Sequence, residues 1–320
     1  MKSISQRIYE YGIVPVVKLE DAGLAVPLAN ALMAGGLKCI EVTFRTDAAE
    51  QAIRNISQEC KDMLVGAGTV LTVGQIERAV AAGARFIVTP GFNPTTAGYC
   101  VEHGIPVFPG CSDPASIEAA LELGISDLKF FPAEPSGGLP MIRSLCAPYT
   151  KVRFMPTGGV NDRNMNEYLS YDKILACGGT WMVKEDLIRE RRFDEIERLT
   201  RNTVMNMLGF ELRHVGINCT DEGQAFQRAR RAADLFGLEV KAGNSSVFAG
   251  KAFEMMKSET CGEKGHICMA VNNLDRACAY FSERGVRFVE SSRKYSDEGK
   301  LKVVNLEEQL GGFVLQLVNK

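Results

Sequence analysis

Histidine, tryptophan and regularly spaced cysteines are scarce in this 320-residue chain, and each shortage narrows the kinds of site that it can hold. The sequence has three histidines and one tryptophan. It has ten cysteines, but no CxxC pair and no regular spacing of the kind that marks a zinc site or a disulfide framework. We therefore expect reduced, buried cysteines. Any metal site has to be built from very few imidazoles.

The sequence also lacks a strong net charge and a long apolar segment. Its net charge is −2, which does not favour a nucleic acid or an anionic membrane surface as a partner. Its apolar runs have the length of strands, well short of the ~20 residues of a membrane-spanning helix. Residues 1–12 lack the apolar centre of a signal peptide. These features predict a cytoplasmic protein with no nucleic-acid partner and no membrane partner.

Short apolar runs alternate with longer amphipathic runs from residue 13 onward. Strands that alternate with helices predict a parallel sheet in an α/β fold. Eight of the short runs are predicted strands: 13–19, 39–44, 64–70, 86–91, 106–110, 127–131, 152–159 and 174–179. Two architectures fit this pattern, a closed (β/α)8 TIM barrel and an open, doubly wound sheet.

Two observations favour the closed barrel over the open sheet. No GxGxxG motif follows the first predicted strand, where a doubly wound dinucleotide-binding fold would carry it. Unusual residues recur near the carboxyl ends of the predicted strands, and in a barrel those ends all meet at one site. We therefore predict a TIM barrel over residues 1–209.

Residues 210–320 have a different order of elements, and that order occurs twice. A strand, a helix and three short strands come first, and the same series begins again near residue 265. This repeat predicts an α+β domain of paired β-α-β-β-β modules. His214 and His266 occupy corresponding positions in the first strand of each module.

Lys129 is an unexpected residue within the short apolar run "DLKFF". An ammonium group in such a place loses its hydration. One explanation is catalytic: apolar surroundings favour the neutral amine, which attacks a ketone and forms an iminium. That iminium accepts electrons when a neighbouring carbon–carbon bond breaks. The other explanation is a lysine that extends from a strand end into water.

Three further side chains follow or lie within neighbouring predicted strands. Glu41 is an acid inside an apolar strand, where it could move protons between reacting groups or simply pair with Lys129. Arg45 follows it and suits bidentate binding of a substrate carboxylate, although a surface ion pair would also explain it. Thr69 ends a run of small residues and offers a hydroxyl group.

Paired glycines follow the last two predicted strands, in "PTGGV" (156–160) and "CGGTW" (177–181). Glycine lets backbone N–H groups approach an anion closely. The loops after the seventh and eighth strands are the usual phosphate site of a TIM barrel. The two pairs together therefore indicate a phosphate-binding end.

Seven motifs occur in the order and spacing of one enzyme family: "IEVTFRT", "VGAGTV", "TPGFNP", "VFPG", "LKFFPAE", "PTGGV" and "GGTWMV". On these motifs, residues 1–208 resemble the KDPG/KHG aldolases (2-keto-3-deoxy-6-phosphogluconate and 4-hydroxy-2-oxoglutarate aldolases). The resemblance implies a class I aldolase on a TIM barrel, usually a homotrimer, that needs no metal. Such enzymes cleave the phosphorylated keto acid to pyruvate and glyceraldehyde 3-phosphate.

The resemblance also implies roles for individual residues. Lys129 matches the Schiff-base lysine, and Glu41 matches the general acid/base. Thr180 replaces the usual serine but keeps a hydroxyl group. The implied substrate contacts are Arg45, Thr69, Pro90, Phe131, Thr157, Gly158, Gly159, Gly179 and Thr180.

Residues 211–320 resemble the vicinal oxygen chelate superfamily, which includes glyoxalase I. In that fold the first and last strands of each module supply metal ligands. The matching positions are His214, Glu254, His266 and Gln316, and strand alternation could turn all four toward one concave face. This set predicts a divalent metal ion. A domain that only assembles the protein or senses a ligand is the alternative.

The sequence leaves the choice of substrate open. Cleavage of 2-keto-3-deoxy-6-phosphogluconate is the first hypothesis, and 4-hydroxy-2-oxoglutarate could be a further substrate. The phosphogalactonate-derived keto acid would use the same chemistry with the opposite hydroxyl configuration. A phosphate-binding barrel of non-aldolase chemistry, joined to a ligand-sensing C-terminal domain, is the alternative from a different class.

Overall fold

The computed structural model describes residues 2–320, which form two compact units that divide between Met207 and Leu208. The sequence predicted this division between residues 209 and 210. The assignment of the two parts to an aldolase-like barrel and a vicinal oxygen chelate domain stays a prediction. Within the described residues, no helix combines the length and the apolar character needed to cross a bilayer.

The N-terminal unit contains eight short parallel strands. They are β1 (Ile13–Val17), β2 (Cys39–Thr43), β3 (Leu64–Gly68), β4 (Ile87–Val88), β5 (Val107–Phe108), β6 (Asp127–Phe130), β7 (Arg153–Pro156) and β8 (Cys177–Gly179). Six of them pair in the order β5-β4-β3-β2-β1-β8, and β6 pairs with β7. Single bridges join Gly110 to Lys129 and Thr157 to Gly178. These bridges close the ring, so the predicted parallel α/β sheet is confirmed as a TIM-like fold.

Helices follow or precede these strands around the ring. They are α1 (Ile4–Tyr11), α2 (Ala25–Ala34), α3 (Ala49–Glu59), α4 (Val73–Ala82), α5 (Pro94–Glu102), α6 (Pro114–Glu122), α7 (Gly138–Cys146), α8 (Met165–Leu169), α9 (Glu185–Arg189) and α10 (Phe193–Leu208). The side chains of Thr72, Asn93 and Asp113 accept hydrogen bonds from the first turns of α4, α5 and α6. They satisfy N–H groups that a helix start leaves without partners.

The seventh strand is shorter than predicted. The sequence suggested a strand over 152–159, but β7 ends at Pro156. Gly158 and Gly159 adopt φ angles of +97° and +87°, which lie outside the extended region. Only glycine reaches these angles at little cost, so "PTGG" forms a turn at the carboxyl end of the strand.

The C-terminal unit contains eight further strands and two helices. They are β9 (Glu211–Asn218), α11 (Glu222–Phe236), β10 (Val240–Ala242), β11 (Ser246–Ala249), β12 (Phe253–Met256), β13 (Gly265–Val271), α12 (Leu274–Ser282), β14 (Phe288–Tyr295), β15 (Leu301–Leu310) and β16 (Phe313–Asn319). Each half has the order β-α-β-β-β. The strands form one sheet in the order β10-β11-β12-β9-β13-β16-β15-β14.

The two halves of this sheet meet where β9 pairs antiparallel with β13. In each half the first strand also pairs with the last, β9 with β12 and β13 with β16, in parallel. The central four strands are therefore the first and last strands of both halves. Side chains on one face of these four strands share a common surface.

We predict that Gly66→Ala destabilises the N-terminal unit by roughly 1–3 kcal/mol, because overfilling a packed core forces its neighbours to shift. A Cβ atom at Gly66 would lie 2.2 Å from the ring of Phe86. Urea unfolding followed by the fluorescence of Trp181, the only tryptophan, reports on this unit.

Gly98→Ala is the matched control. Gly98 lies inside α5, and a Cβ atom there would meet nothing within 4 Å. Alanine should stabilise that helix by up to about 1 kcal/mol. Equal unfolding midpoints for the two variants would contradict the packing described for β3.

Candidate functional site

Lys129 and Glu41 face each other inside the ring of strands. Lys129 belongs to β6 and is 5% exposed, and Glu41 belongs to β2 and is 0% exposed. Lys129 Nζ lies 3.4 Å from Glu41 Oε1. The Oε2 atom of Glu41 is buried and has no hydrogen-bond partner among the described residues. A buried oxygen without a partner is costly for folding, and it is free to accept a proton or a hydrogen bond from a ligand.

The glycines of β3 create the space for this pair. A Cβ atom at Gly68 would lie 2.0 Å from Glu41 Oε1. Any larger residue at this position would push the carboxylate away from Lys129. The small residues of "VGAGTV" therefore have a steric function beside Glu41.

Thr69 and Arg45 stand at the carboxyl ends of neighbouring strands, in the same end of the ring. Thr69 has a φ of +55°, a strained conformation for a β-branched residue. Arg45 donates a hydrogen bond of 3.3 Å from Nε to Thr43 Oγ1. Within residues 2–320, neither Thr69 nor Arg45 forms a hydrogen bond to Lys129 or Glu41. Both stay predicted substrate contacts.

Pro90 and Phe131 lie close to the backbone or side chain of Lys129. Lys129 Nζ is 5.4 Å from the centre of the Phe131 ring, which is 40% exposed. Gly110 pairs with Lys129, and a Cβ atom at Gly110 would lie 2.1 Å from the carbonyl oxygen of Pro90. The ring of Phe131 therefore forms an apolar wall beside the amine, whereas Pro90 is joined to Lys129 through Gly110.

The turn after β7 lies against the loop after β6. The amide N–H groups of Ala133 and Glu134 donate to the carbonyl oxygens of Thr157 and Gly158, over 2.8 Å and 3.0 Å. The ring of Phe131 lies 3.3 Å from the position that a Cβ atom would take on Gly158. The turn thus joins the loop that carries the wall beside Lys129.

Thr157 and the second diglycine segment pack together. The Oγ1 atom of Thr157 is buried and has no hydrogen-bond partner among the described residues. It would lie 2.3 Å from a Cβ atom at Gly178. Gly179 ends β8 beneath the ring of Trp181, and the exposed Thr180 follows. The structure brings the predicted phosphate-binding residues to the ends of two adjacent strands.

Sequence reasoning missed two residues beside this turn. Tyr168 of α8 is 2% exposed and donates a hydrogen bond from its hydroxyl group to Glu134 Oε1. Burial and the charge of Glu134 both raise the pKa of Tyr168, so the hydroxyl keeps its proton. Glu134 was visible in "LKFFPAE", but nothing local in the sequence pairs it with a tyrosine 34 residues later.

Three of the predicted metal ligands converge in the C-terminal unit. His214 Nε2 and His266 Nε2 lie 3.0 Å apart. They lie 3.0 Å and 3.2 Å from Glu254 Oε2. Donors that bind one ion at about 2.1 Å are separated by roughly 3.0–3.4 Å in octahedral or tetrahedral geometry, so these three atoms fit a divalent ion.

Ser246 was also missed, and it sets the orientation of Glu254. Its hydroxyl donates to Glu254 Oε1 over 2.7 Å, which leaves Oε2 toward the two imidazoles. Burial raises the pKa of Glu254, but the hydrogen bonds from His214, His266 and Ser246 together lower it well below its usual range. Only the antiparallel pairing of β11 with β12 brings Ser246 close, and that pairing is not evident in the sequence.

Gln316 lies on β16, the strand next to the β13 strand that carries His266. It pairs with Cys268, as His214 does from the opposite side, whereas His266 pairs with Val314. Gln316 Nε2 donates to Asn305 Oδ1 over 3.1 Å. Its role as a ligand stays a prediction.

Comparisons with known proteins identify the family of the N-terminal unit. The sequence model of the family described as "KDPG and KHG aldolase" matches residues 4–199. The chain belongs to this family. It is therefore an aldolase, a lyase that breaks carbon–carbon bonds. The family match ends before the C-terminal unit begins.

Individual relatives cover a similar share of the chain. A 2-dehydro-3-deoxy-phosphogluconate aldolase of Treponema pallidum is 50% identical over 204 residues, which are 64% of this chain and 97% of the relative. The KHG/KDPG aldolase of Escherichia coli K12 is 38% identical over 192 residues, 60% of this chain and 90% of the relative. A crystal structure of KDPG aldolase from Legionella pneumophila, with pyruvate captured as a covalent carbinolamine, is 35% identical with a TM-score of 0.61 and covers 63% of this chain and 99% of that one.

The small number of histidines allows a direct test of the cluster formed by His214, Glu254 and His266. Burial lowers the pKa of His266, but the neighbouring Cys261 thiol and the Glu254 carboxylate raise it by more, to about 9. We predict that Glu254→Gln lowers this pKa in metal-free protein. Proton NMR titration of the histidine rings measures it.

The sign of the linked stability change follows from the raised pKa. The pKa of His266 is about 9 in the fold and 6.5 without it, so its stabilising effect is complete below pH 6.5 and is lost as pH rises toward 9. Wild-type protein should lose roughly 1–3 kcal/mol over that window, and Glu254→Gln should lose less. An unchanged His266 pKa in the variant would contradict this account.

Proposed function

We propose that the N-terminal unit cleaves 2-keto-3-deoxy-6-phosphogluconate to pyruvate and glyceraldehyde 3-phosphate through a Schiff base on Lys129. One observation carries this proposal: a buried amine lies 3.4 Å from a buried carboxylate inside a ring of parallel strands. The gluconate-specific name of the relative that is 50% identical supports the substrate. The carbinolamine in the Legionella pneumophila structure supports the covalent route.

The first step needs a neutral amine and an available proton. Transfer of one proton from Lys129 to Glu41 provides both, because the two groups are neighbours and water is excluded around them. The amine then attacks the C2 ketone, and the carbonyl oxygen takes up a proton as the carbinolamine forms. Loss of water from the carbinolamine gives the iminium.

The second step breaks the bond between C3 and C4. A base removes the proton from the C4 hydroxyl, the C4 oxygen becomes the aldehyde, and the bonding electrons move through C3 into the iminium. The product aldehyde leaves, and an enamine stays on Lys129. Protonation at C3 by Glu41, followed by water addition and hydrolysis, releases pyruvate and restores the amine.

The two ends of the substrate are assigned to opposite parts of the site. Arg45 would bind the carboxylate of the keto acid. The hydroxyl group of Thr69 would donate or accept a hydrogen bond at the neighbouring substrate oxygen. Pro90 and Phe131 would form the apolar wall. The diglycine segments, with Thr157 and Thr180, would bind the phosphate group through backbone N–H groups and hydroxyls.

The alternatives are less well supported. The family includes enzymes named for both keto acids, so 4-hydroxy-2-oxoglutarate stays a candidate second substrate. The galactonate-derived substrate is not favoured, since the relative that is 50% identical is named for the gluconate compound. A homotrimer in the cytoplasm, as the resemblance and the composition suggested, stays a prediction.

We predict that borohydride reduction in the presence of pyruvate adds one reduced pyruvate to Lys129, because an imine on that amine becomes a stable secondary amine. Peptide mass spectrometry locates the adduct. Lys129→Ala should lose both the adduct and the cleavage of the phosphorylated keto acid.

Lys173→Ala is the matched control for this test. Lys173 Nζ donates a hydrogen bond to the carbonyl oxygen of Thr150. Thr150 precedes β7, so this contact lies at the amino end of the strand, opposite the carboxyl end that carries the site. This variant should be labelled at Lys129 as the wild type is. Full cleavage activity in Lys129→Ala would remove the proposal.

We infer a second function for the C-terminal unit, the binding of one divalent metal ion by His214, Glu254 and His266. The triangle of donor atoms supports it, as does the arrangement of first and last strands from two β-α-β-β-β halves, which resembles a vicinal oxygen chelate domain. When bound, such an ion would act as a Lewis acid for an oxygen ligand. Gln316 is a further candidate ligand.

We predict that calorimetry detects one Zn²⁺ per chain, and that Ser246→Ala weakens this binding about 10–100-fold because Glu254 loses its orienting hydrogen bond. His214→Ala should abolish it. Ser245→Ala is the matched control, since in the part of the chain that the structure describes Ser245 is engaged through its backbone carbonyl, by the Lys257 N–H.

A chelator separates the two functions. Cleavage at Lys129 should continue in its presence, because the amine and Glu41 need no ion. Absence of Zn²⁺ binding to the wild type would contradict the second function and leave the first intact.

A further inference from the structure

Each carbonyl group of the turn over residues 157–159 is held by a hydrogen bond. Thr157 and Gly158 accept hydrogen bonds from the loop after β6, at Ala133 and Glu134. Gly159 accepts from the side-chain amide of Asn161 over 3.0 Å. All three carbonyl oxygens of the turn are therefore bound to neighbouring parts of the chain.

The N–H groups of the same peptide units point the opposite way. A trans peptide holds its N–H and its C=O on opposite sides of one plane. The Thr157–Gly178 bridge turns the N–H of Gly158 toward the backbone of Gly178, whereas the N–H of Gly159 forms no hydrogen bond among residues 2–320. A backbone N–H without a partner can bind an anion, so the direction of the Gly158 carbonyl, in the same peptide unit, decides whether this N–H faces a phosphate group.

The position of Glu134 determines where those carbonyls point. Its own N–H holds the carbonyl of Gly158. Its side chain packs on the turn as well: a Cβ atom at Gly159 would lie 2.5 Å from Glu134 Cγ. A change in the Glu134 side chain would therefore reach the turn at Gly159, next to the carbonyl that the Glu134 N–H holds.

The Glu134 side chain is itself held by Tyr168, whose hydroxyl donates to Oε1. The tyrosine is buried in the short helix after the turn, so the bond fixes a loop residue to the packed part of the unit. Gly138 makes room for it, since a Cβ atom there would lie 3.1 Å from the Tyr168 hydroxyl.

We propose that the Glu134–Tyr168 pair positions the diglycine turn for the phosphate group of the substrate. The pair contacts no reacting atom, so its two members are positioning residues. This inference rests on the proposed cleavage of a phosphorylated keto acid. It assigns to the pair the binding of the phosphate end and not the chemistry at Lys129.

The test compares a substrate that has a phosphate group with one that lacks it. Tyr168→Phe should raise the KM for 2-keto-3-deoxy-6-phosphogluconate about tenfold, with kcat within about twofold, because one hydrogen bond to a charged group is lost. The inhibition constant of inorganic phosphate should rise to a similar extent. Exchange of the pyruvate methyl protons in D₂O, which needs Lys129 and Glu41 but no phosphate group, should keep its rate.

Two substitutions at Glu134 cover the case in which Tyr168→Phe fails to fold. Glu134 is exposed, so its variants should fold. Glu134→Ala should match Tyr168→Phe, whereas Glu134→Gln should stay close to the wild type because its amide oxygen still accepts the hydroxyl hydrogen. Tyr149→Phe removes a similar bond, of 2.7 Å to Glu118, away from the turn, and should change nothing.

Three results would overturn the proposal. The KM could stay at the wild-type value in both Tyr168→Phe and Glu134→Ala. Pyruvate exchange could fall in parallel with phosphate binding, which would indicate general damage. Glu134→Gln could be as impaired as Glu134→Ala. Absence of pyruvate exchange in the wild type would instead contradict the proposed aldolase function, and calorimetry with inorganic phosphate would still test the pair.

Discussion

A buried amine and a buried carboxylate face each other across a closed sheet, and the surrounding sequence serves to keep them there. Lys129 and Glu41 come from strands on different sides of the ring, so both strands must hold their register. Gly68 leaves the space that the carboxylate fills. Apolar side chains exclude water, which strengthens the interaction between the two groups and makes proton transfer between them short and direct.

This arrangement is costly for the stability of the fold. Glu41 and Thr157 each bury an oxygen atom that has no partner among the described residues, and such a group costs about 1–3 kcal/mol. Thr69 adds backbone strain of roughly 1–3 kcal/mol. All three residues lie at or near the predicted substrate site. A ligand that binds there could satisfy the orphaned oxygens, so the unfavourable groups are those that a substrate would use.

The parallel ring and its central pair were predictable, whereas the supporting hydrogen bonds were not. Alternating apolar runs predicted the eight strands, and a lysine and an acid inside apolar strands marked Lys129 and Glu41. The end of β7 was predicted wrongly, because the predicted strand included Gly158 and Gly159, whose positive φ angles lie outside the extended region. The contacts of Tyr168 with Glu134 and of Ser246 with Glu254 depend on how distant segments pack, which no local pattern encodes.

The most direct test of the central claim is a crystal structure of the protein soaked with pyruvate. The account predicts continuous electron density between Lys129 Nζ and C2 of pyruvate, with a Glu41 oxygen within hydrogen-bonding distance of the former carbonyl position or of C3. Pyruvate bound without a covalent bond to Lys129, or joined to a different lysine, would contradict it.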